Sequence, residues 1–341
     1  MRMRNEQDPS NFRQMIIDSP AQFRAGMELA DGIRVEGDFD KIMISGMGGS
    51  ALPGNLFRIY LNDLFRKDGR KPLPVFQNRF YGLPPESFDR CLNLVCSYSG
   101  NTEETIAAFE EGIAAGLPTV GLSAGGKLEE RCRETGTPHV KLPMPSPDFQ
   151  PRIGTGYFFG ALFAILANHG LIPDARAEVL AAADRLSTGM EDAEARGKEI
   201  AATLAGKTPV VYASVKYKAV AMVWKIKLNE NAKTPAFWNF FPELNHNEMV
   251  GFTNPQAQFA VVMLRDPSDH PKNLARFEAT AGLLREKGIT VDIIDMEGDD
   301  VFGKIFGSIL LADFASYHLA LRYGIDPTPV EMVERLKKLL A

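Results

Sequence analysis

A chain of 341 residues, 45% hydrophobic and 24% charged, with a net charge of −5, has the profile of a soluble globular protein with room for two domains of ordinary size. No basic or acidic block stands out, which excludes the concentrated Lys/Arg face of a nucleic-acid binder. The longest uninterrupted apolar run, 157-YFFGALFAILA-167, falls well short of the ~20 residues of a membrane-spanning helix, and the opening MRMRNEQDPSNFRQ lacks the apolar run of a secretory signal.

The first 40 residues read as a helical segment, 11-NFRQMIIDSPAQFRAGMELA-30. Short β-like runs follow at 41-KIMIS-45, 73-LPVFQ-77, 93-NLVCSY-98, 118-PTVGLS-123 and 139-HVKLP-143. Between them, 51-ALPGNLFRIYLNDLF-65 and 102-TEETIAAFEEGIAAG-116 carry apolar residues at helical spacing. An apolar helix near 155–169 and an alanine-rich stretch, 176–206, precede a restart of the pattern. Strands are expected at 209–214, 258–265 and 289–295, with helices at 216–231, 272–288 and 302–324 and a terminal helix at 330–341. The aromatic stretch after residue 236 reads as a loop. Strand–helix alternation with short connections predicts parallel strands joined by helical crossovers. The expected fold class is therefore α/β, with two doubly wound domains, each a mainly parallel sheet flanked by helices. The expected boundaries are 1–40 for the helical segment, 41–150 for the first domain, 151–185 for connecting helices and 186–341 for the second domain. Cys91, Cys96 and Cys132 show no CxxC spacing and read as reduced, buried thiols of a cytoplasmic protein.

Two strand-to-helix junctions are poor in side chains and rich in hydroxyls: 43-MISGMGGSALPG-54 and 93-NLVCSYSGNTEET-105. Ligands of parallel α/β sheets sit at the carboxyl ends of strands, where unpaired N–H groups and the helix dipole favour phosphate. Gly46, Gly48 and Gly49 let the backbone approach an anion, and Ser50, Ser97, Ser99 and Thr102 add neutral donors. The bland alternative is that these hydroxyls cap helices. A second rival is the dinucleotide fingerprint, since 46-GMGGSA-51 fits G-x-G-x-x-A. That motif wants an acidic residue at the end of the next strand, where this chain has Gln77-Asn78-Arg79.

GMGGS followed by SYSGNTEET resembles the sugar isomerase (SIS) domain, whose serine- and threonine-rich loops hold sugar phosphates. Some SIS proteins are non-catalytic regulators, so chemistry has to be sought elsewhere in the chain. The densest polar constellation is 229-NENAKTPAFWNFFPELNHNEMVG-251. Aldose–ketose isomerisation needs a base to shuttle a proton, an acid/base to open the ring and a cation for the enediolate. Glu230 and Glu248 compete for the base on residue type alone. A metal held by Glu243, His246 and Glu248 is poor ligation, with one histidine and loosely spaced acids.

Together, 228-LNENAK-233 and 243-ELNHNEMVGF-252 resemble the bifunctional phosphoglucose/phosphomannose isomerases, a two-SIS-domain branch of the phosphoglucose isomerase superfamily. The resemblance runs from about residue 40 to the end. It implies Glu230 as the proton-shuttling base and His246 as the ring-opening residue, supplied by the partner subunit of a homodimer. It implies Arg152, in 151-PRIGTGYFFG-160, as the cation facing the enediolate. Lys337 would assist ring opening, with Lys338 as its neighbour and competitor, and Thr328 would admit both epimers. Gly49, Ser50, Ser97, Ser99 and Thr102 would hold the phosphate. The second half carries at most a worn copy of the motif, 212-YASVKYKAVA-221, so one phosphate site per chain is expected.

The expected function is metal-free and cofactor-free interconversion of glucose 6-phosphate and mannose 6-phosphate with fructose 6-phosphate through a cis-enediol. The alternatives are a non-catalytic sugar-phosphate-binding SIS regulator and an NAD-dependent dehydrogenase. Neither nucleic acid nor membrane is an expected partner.

Overall fold

The computed structural model describes residues 6–69 and 72–340; residues 1–5 of the N-terminal segment and Ala341 of the terminal helix lie outside them. The chain forms two compact units, Asp18–Ser187 and a second that joins the segment up to Ile17 with everything from Thr188 onward. The N-terminal helical segment is thereby divided. Helix α1 (Phe12–Ile17) falls in the second unit and α2 (Ala21–Leu29) in the first.

The first unit continues with β1 (Lys41–Gly46), α3 (Gly48–Asp68), β2 (Val75–Asn78), β3 (Cys91–Cys96), α4 (Glu103–Ala114) and β4 (Thr119–Ser123). It closes with α5 (Gly126–Thr135), β5 (His139–Lys141), α6 (Thr155–Asn168) and α7 (Arg176–Thr188). The five strands pair in parallel in the order β2-β1-β3-β4-β5. Every residue of β3 and β4 is buried, which is why these strands are apolar without alternation: helices cover both faces. Cys91, Cys96 and Cys132 are free and buried, and burial pushes the Cys91 and Cys132 thiols up to about 12. Helix α5, not expected from the sequence, buries only Leu128 and Cys132; two apolar residues one turn apart give no readable period.

Helix α6 is buried along almost its whole length, and α2 crosses it at close range. A Cβ on Gly26 would meet the Tyr157 carbonyl at 2.2 Å, and one on Gly160 the Phe23 carbonyl at 2.3 Å. Phe23 and Phe159 meet edge to face beside this crossing, at 5.8 Å.

The second unit contains α8 (Met190–Leu204), β6 (Thr208–Ser214), α9 (Lys218–Asn231), β7 (Phe237–Phe241), β8 (Phe259–Arg265) and α10 (Pro271–Glu286). Then follow β9 (Thr290–Asp295), α11 (Val301–Arg322) and α12 (Glu331–Leu340). Its four strands are also parallel, in the order β7-β6-β8-β9. The aromatic stretch expected as a loop is thus a strand. Phe237–Phe241 pairs with β6 at the sheet edge, where aromatic residues fit a pleated, half-buried surface. Helix α1 is tied to this unit by Asp8, which accepts from the Arg13 amide at 3.1 Å and from the Tyr317 hydroxyl at 3.2 Å, and by Arg13, which donates to Glu194 at 2.7 Å.

Both sheets reverse strand order once, between β1 and β3 and between β6 and β8. Such switch points open crevices at the carboxyl ends of the strands. At the second crevice sits Asp266, its side chain fully buried, accepting from Lys304 at 2.6 Å, Tyr217 at 2.9 Å and the Ser268 hydroxyl at 2.7 Å. Burial alone would push this carboxyl up, but these donors outweigh it and hold it well below the ordinary carboxylate range. A depressed folded-state value means stability that is present above about pH 4 and lost as the pH falls further. Asp266→Asn is therefore expected to lower the Tm at pH 7, with the gap from the parent protein shrinking below about pH 4. A gap that stays constant from pH 7 to pH 3 refutes this.

Candidate active site

Three segments distant in sequence converge at the first switch point. Gly46 and Cys96 are register partners on β1 and β3, so both glycine–serine junctions leave the sheet side by side. Ser50 lies in the first turn of α3 and its hydroxyl accepts from the Tyr98 amide at 2.9 Å, stitching one junction to the other. Thr102 occupies the N-cap position of α4, yet its hydroxyl makes no capping bond; it pairs with Ser97 at 2.9 Å. The capping alternative therefore fails at this residue. Ser97 is fully buried and Ser99 is exposed, accepting from the Asn101 amide at 3.3 Å.

The third segment is the short turn Pro151–Ile153 before α6. Its backbone presses against Gly49, where a Cβ would stand 2.8 Å from the Arg152 amide nitrogen. Arg152 is buried, 1% exposed, and donates to Gln150 at 3.0 Å. A guanidinium stays charged in such a site. Tyr98 fixes the same corner: it packs on Phe149 and Phe158, and its hydroxyl donates to the Pro143 carbonyl at 2.6 Å. Gly49, Ser50, Ser97, Thr102 and Arg152 are thus brought together in the first unit. Two helix N-termini, those of α3 and α4, begin here, adding positive partial charge.

A buttress behind this cradle was not anticipated. The Gly125–Gly126 turn after β4 bonds back to it through the Ala124 amide to Tyr98 O at 2.8 Å and the Leu128 amide to Gly100 O at 2.9 Å. The Lys127 amide also donates to Asn101 at 3.1 Å. A second Gly-Gly pair at a strand end, after Gly48-Gly49, was the available signal.

In the second unit, Glu230 sits half-buried in the last turn of α9. Lys233 follows the helix end in left-handed conformation, at φ +53°, a geometry that costs a non-glycine residue about 1–2 kcal/mol. Its ammonium donates to the Glu230 carbonyl at 2.6 Å and to the Pro327 carbonyl at 3.0 Å. Thr328, next to Pro327, is buried, and its amide donates to Asp326 at 2.8 Å. One lysine thus ties the end of the Glu230 helix to the segment carrying Thr328. Nothing local in the sequence announces that role.

Glu248, the competing carboxylate, accepts from the Tyr212 hydroxyl at 2.6 Å and from the Asn239 amide. Those bonds give it a structural task, bracing the loop against β6 and β7. His246 lies in the short helical turn Glu243–His246; its ring is exposed and makes no hydrogen bond among the described residues. Neighbouring Asn245 donates to Thr280 at 2.8 Å, and Asn247 to Glu243 at 2.9 Å. Lys337 is exposed on α12 and pairs with Glu334 at 2.7 Å. Lys338 is exposed on the same helix, no residue of which is buried. Among the described residues no three His, Cys, Asp or Glu side chains gather as a metal-ligand set. None of the helices there is long and apolar enough to cross a membrane.

Residues 193–340 match the family described as bacterial phospho-glucose isomerase C-terminal SIS domain. A bifunctional phosphoglucose/phosphomannose isomerase from Caldicellulosiruptor bescii is 34% identical, over 96% of this chain and 98% of its own length. One from Aquifex aeolicus is 35% identical, over 87% and 89%. In structure, the chain is similar to tagatose-6-phosphate ketose/aldose isomerase from Escherichia coli, with a TM-score of 0.67 at 16% identity over 93% of this chain and 94% of that one; the likeness is one of fold.

Proposed function

Because the chain belongs to the bifunctional phosphoglucose/phosphomannose isomerase family, we propose that this isomerase interconverts glucose 6-phosphate and mannose 6-phosphate with fructose 6-phosphate through a cis-enediol. The observation that carries the reading is the stitched hydroxyl cradle at the β1/β3 switch point, built around buried Arg152. Ser50, Ser97, Ser99 and Thr102, with the backbone at Gly49, hold the phosphate. His246, assisted by Lys337, moves the proton that opens the ring. Glu230 takes the proton from carbon 2 of the aldose and returns it to carbon 1, while Arg152 offsets the charge on the enediolate oxygen. Oxidation at one carbon balances reduction at the next, so the reaction consumes no redox cofactor.

A small residue such as Thr328 leaves the open-chain substrate free to turn about its carbon 2–carbon 3 bond and present either face to one base. We place the enzyme in the cytoplasm as a homodimer in which His246 of one copy serves the other. The exposed, unbonded ring supports that arrangement.

The test is turnover of fructose 6-phosphate with both aldoses quantified, with and without EDTA. Glucose 6-phosphate and mannose 6-phosphate forming at unchanged rate in EDTA is the expected result. Glucose 6-phosphate alone removes the role given to Thr328. Tight sugar-phosphate binding without turnover removes the enzymatic reading in favour of a sensor.

A further inference from the structure

Helix α9 carries Glu230 in its last turn, and its buried side faces α11 through three polar ties. The Trp224 indole nitrogen donates to Ser308 Oγ at 3.0 Å. The Lys227 ammonium meets Asp313 at 2.6 Å, with 1% and 7% of the two side chains exposed. The Asn231 amide donates to Ser316 Oγ at 2.9 Å. Residues 224, 227 and 231 form one stripe of a helix. Their partners 308, 313 and 316 ascend α11 in the same sense, so the helices run parallel with their register fixed at three levels. The last level is sharply defined. Ser316 spends its hydroxyl proton on the Ala312 carbonyl at 2.6 Å and accepts from Asn231.

Apolar packing alone would hold two helices together while tolerating small rotations and slides. Directional bonds and a buried ion pair do not, because a shifted register leaves their polar groups unsatisfied in a dry interface. We propose that Ser316 and the Lys227–Asp313 pair are positioning residues that fix the axial rotation of α9 and hence the aim of the Glu230 carboxylate. Asn231 transmits the constraint, being the residue next to Glu230 in the chain. The proposal rests on Glu230 being the proton-transferring base. Magnitude favours it: a carboxylate reaching about 6 Å from the helix axis moves about 1 Å for a 10° rotation. A misplacement of that size lowers turnover by about 10²-fold.

The test uses two variants and two references. Ser316→Ala removes the last tie. Lys227→Met with Asp313→Leu replaces the ion pair by apolar groups of similar bulk, a change that commonly preserves stability. Each is expected to lower kcat by about 10- to 100-fold with KM for fructose 6-phosphate within about twofold of the parent. Binding should be spared because the phosphate cradle belongs to the other unit. Tyr323→Phe, which removes the bond from the Gly206 amide to Tyr323 at 2.9 Å near the end of α11, should leave kcat unchanged at whatever thermal shift it produces. Glu230→Gln run alongside separates the two readings. If Glu230→Gln is inactive and both ladder variants keep the parent kcat, the positioning role is refuted and the base stands. If Glu230→Gln retains activity, the base assignment falls and takes the positioning role with it. Loss of kcat in Tyr323→Phe equal to that in Ser316→Ala also overturns the proposal, since general loosening would then explain both.

Discussion

Glu230→Gln is expected to lower kcat by about 10²–10⁴-fold, the range carried by a positioned general base, while KM for fructose 6-phosphate stays within a few-fold. The exchange is nearly isosteric and leaves the backbone carbonyl of residue 230 in place for the Lys233 ammonium, so the helix end keeps its anchor. Exchange of solvent hydrogen into carbon 1 or carbon 2 of the substrate, read by mass spectrometry, should fall in parallel with turnover. Glu248→Gln is the informative companion. It disturbs the bonds to Tyr212 and Asn239, so it should cost stability and leave most of the activity. If the two variants behave the other way round, the base is Glu248.

Gly100→Ala should be the most damaging single change in the hydroxyl cradle proposed to hold the phosphate. Gly100 has φ +70°, and a Cβ there would stand 1.7 Å from the Gly125 carbonyl oxygen. No rotamer relieves a clash between Cβ and backbone, and the Gly125 turn is held in place by the Ala124 and Leu128 amides. The loop carrying Ser97, Ser99 and Thr102 must therefore move. We expect KM for sugar phosphate to rise at least about tenfold, binding of inorganic phosphate to be lost, and stability to fall by roughly 2–4 kcal/mol. Gly116→Ala isolates the two causes. It has nearly the same dihedral, φ +67°, with nothing within 4 Å of the added carbon, so it should cost only about 1 kcal/mol. Equal thermal shifts in the two variants, with KM unchanged in Gly100→Ala, would show that the close approach is irrelevant.

Much of this architecture is legible in the chain. The strands of the first sheet are buried on both faces and so appear as apolar runs, and the glycine–serine junctions stand where those runs end. What escaped has a common cause. Phe237–Phe241 has aromatic residues on either side of Asn239 and no alternation, so its place as an edge strand depends on β6, a partner outside the local window. Helix α5 buries too little to leave a period. Lys233 and the Gly125–Gly126 turn act through carbonyls and amides tens of residues away, contacts that no spacing rule encodes. The N-E-N and N-H-N-E motifs, by contrast, are local, and the roles proposed for Glu230 and His246 come from the resemblance those motifs carry. The choice between Glu230 and Glu248 was open on residue type, and the bonds by which Tyr212 and Asn239 engage Glu248 come from strands that no local reading joins to it.

The split of the N-terminal helices between the two units has a consequence for biogenesis. Asp18–Ser187 is continuous in sequence and has all its strands before the ribosome reaches β6. The other unit needs α1 and α11 together, and its bond between Asp8 and Tyr317 spans 309 residues. At synthesis rates of about 5–20 residues per second, α1 waits roughly 15–60 s for its partner. During that interval the nascent chain carries a folded first unit with an unclaimed amphiphilic segment ahead of it. Closing so long a loop would be entropically costly in a free coil. Prior folding of the intervening unit shortens the effective loop, so vectorial synthesis itself favours assembly of the discontinuous unit.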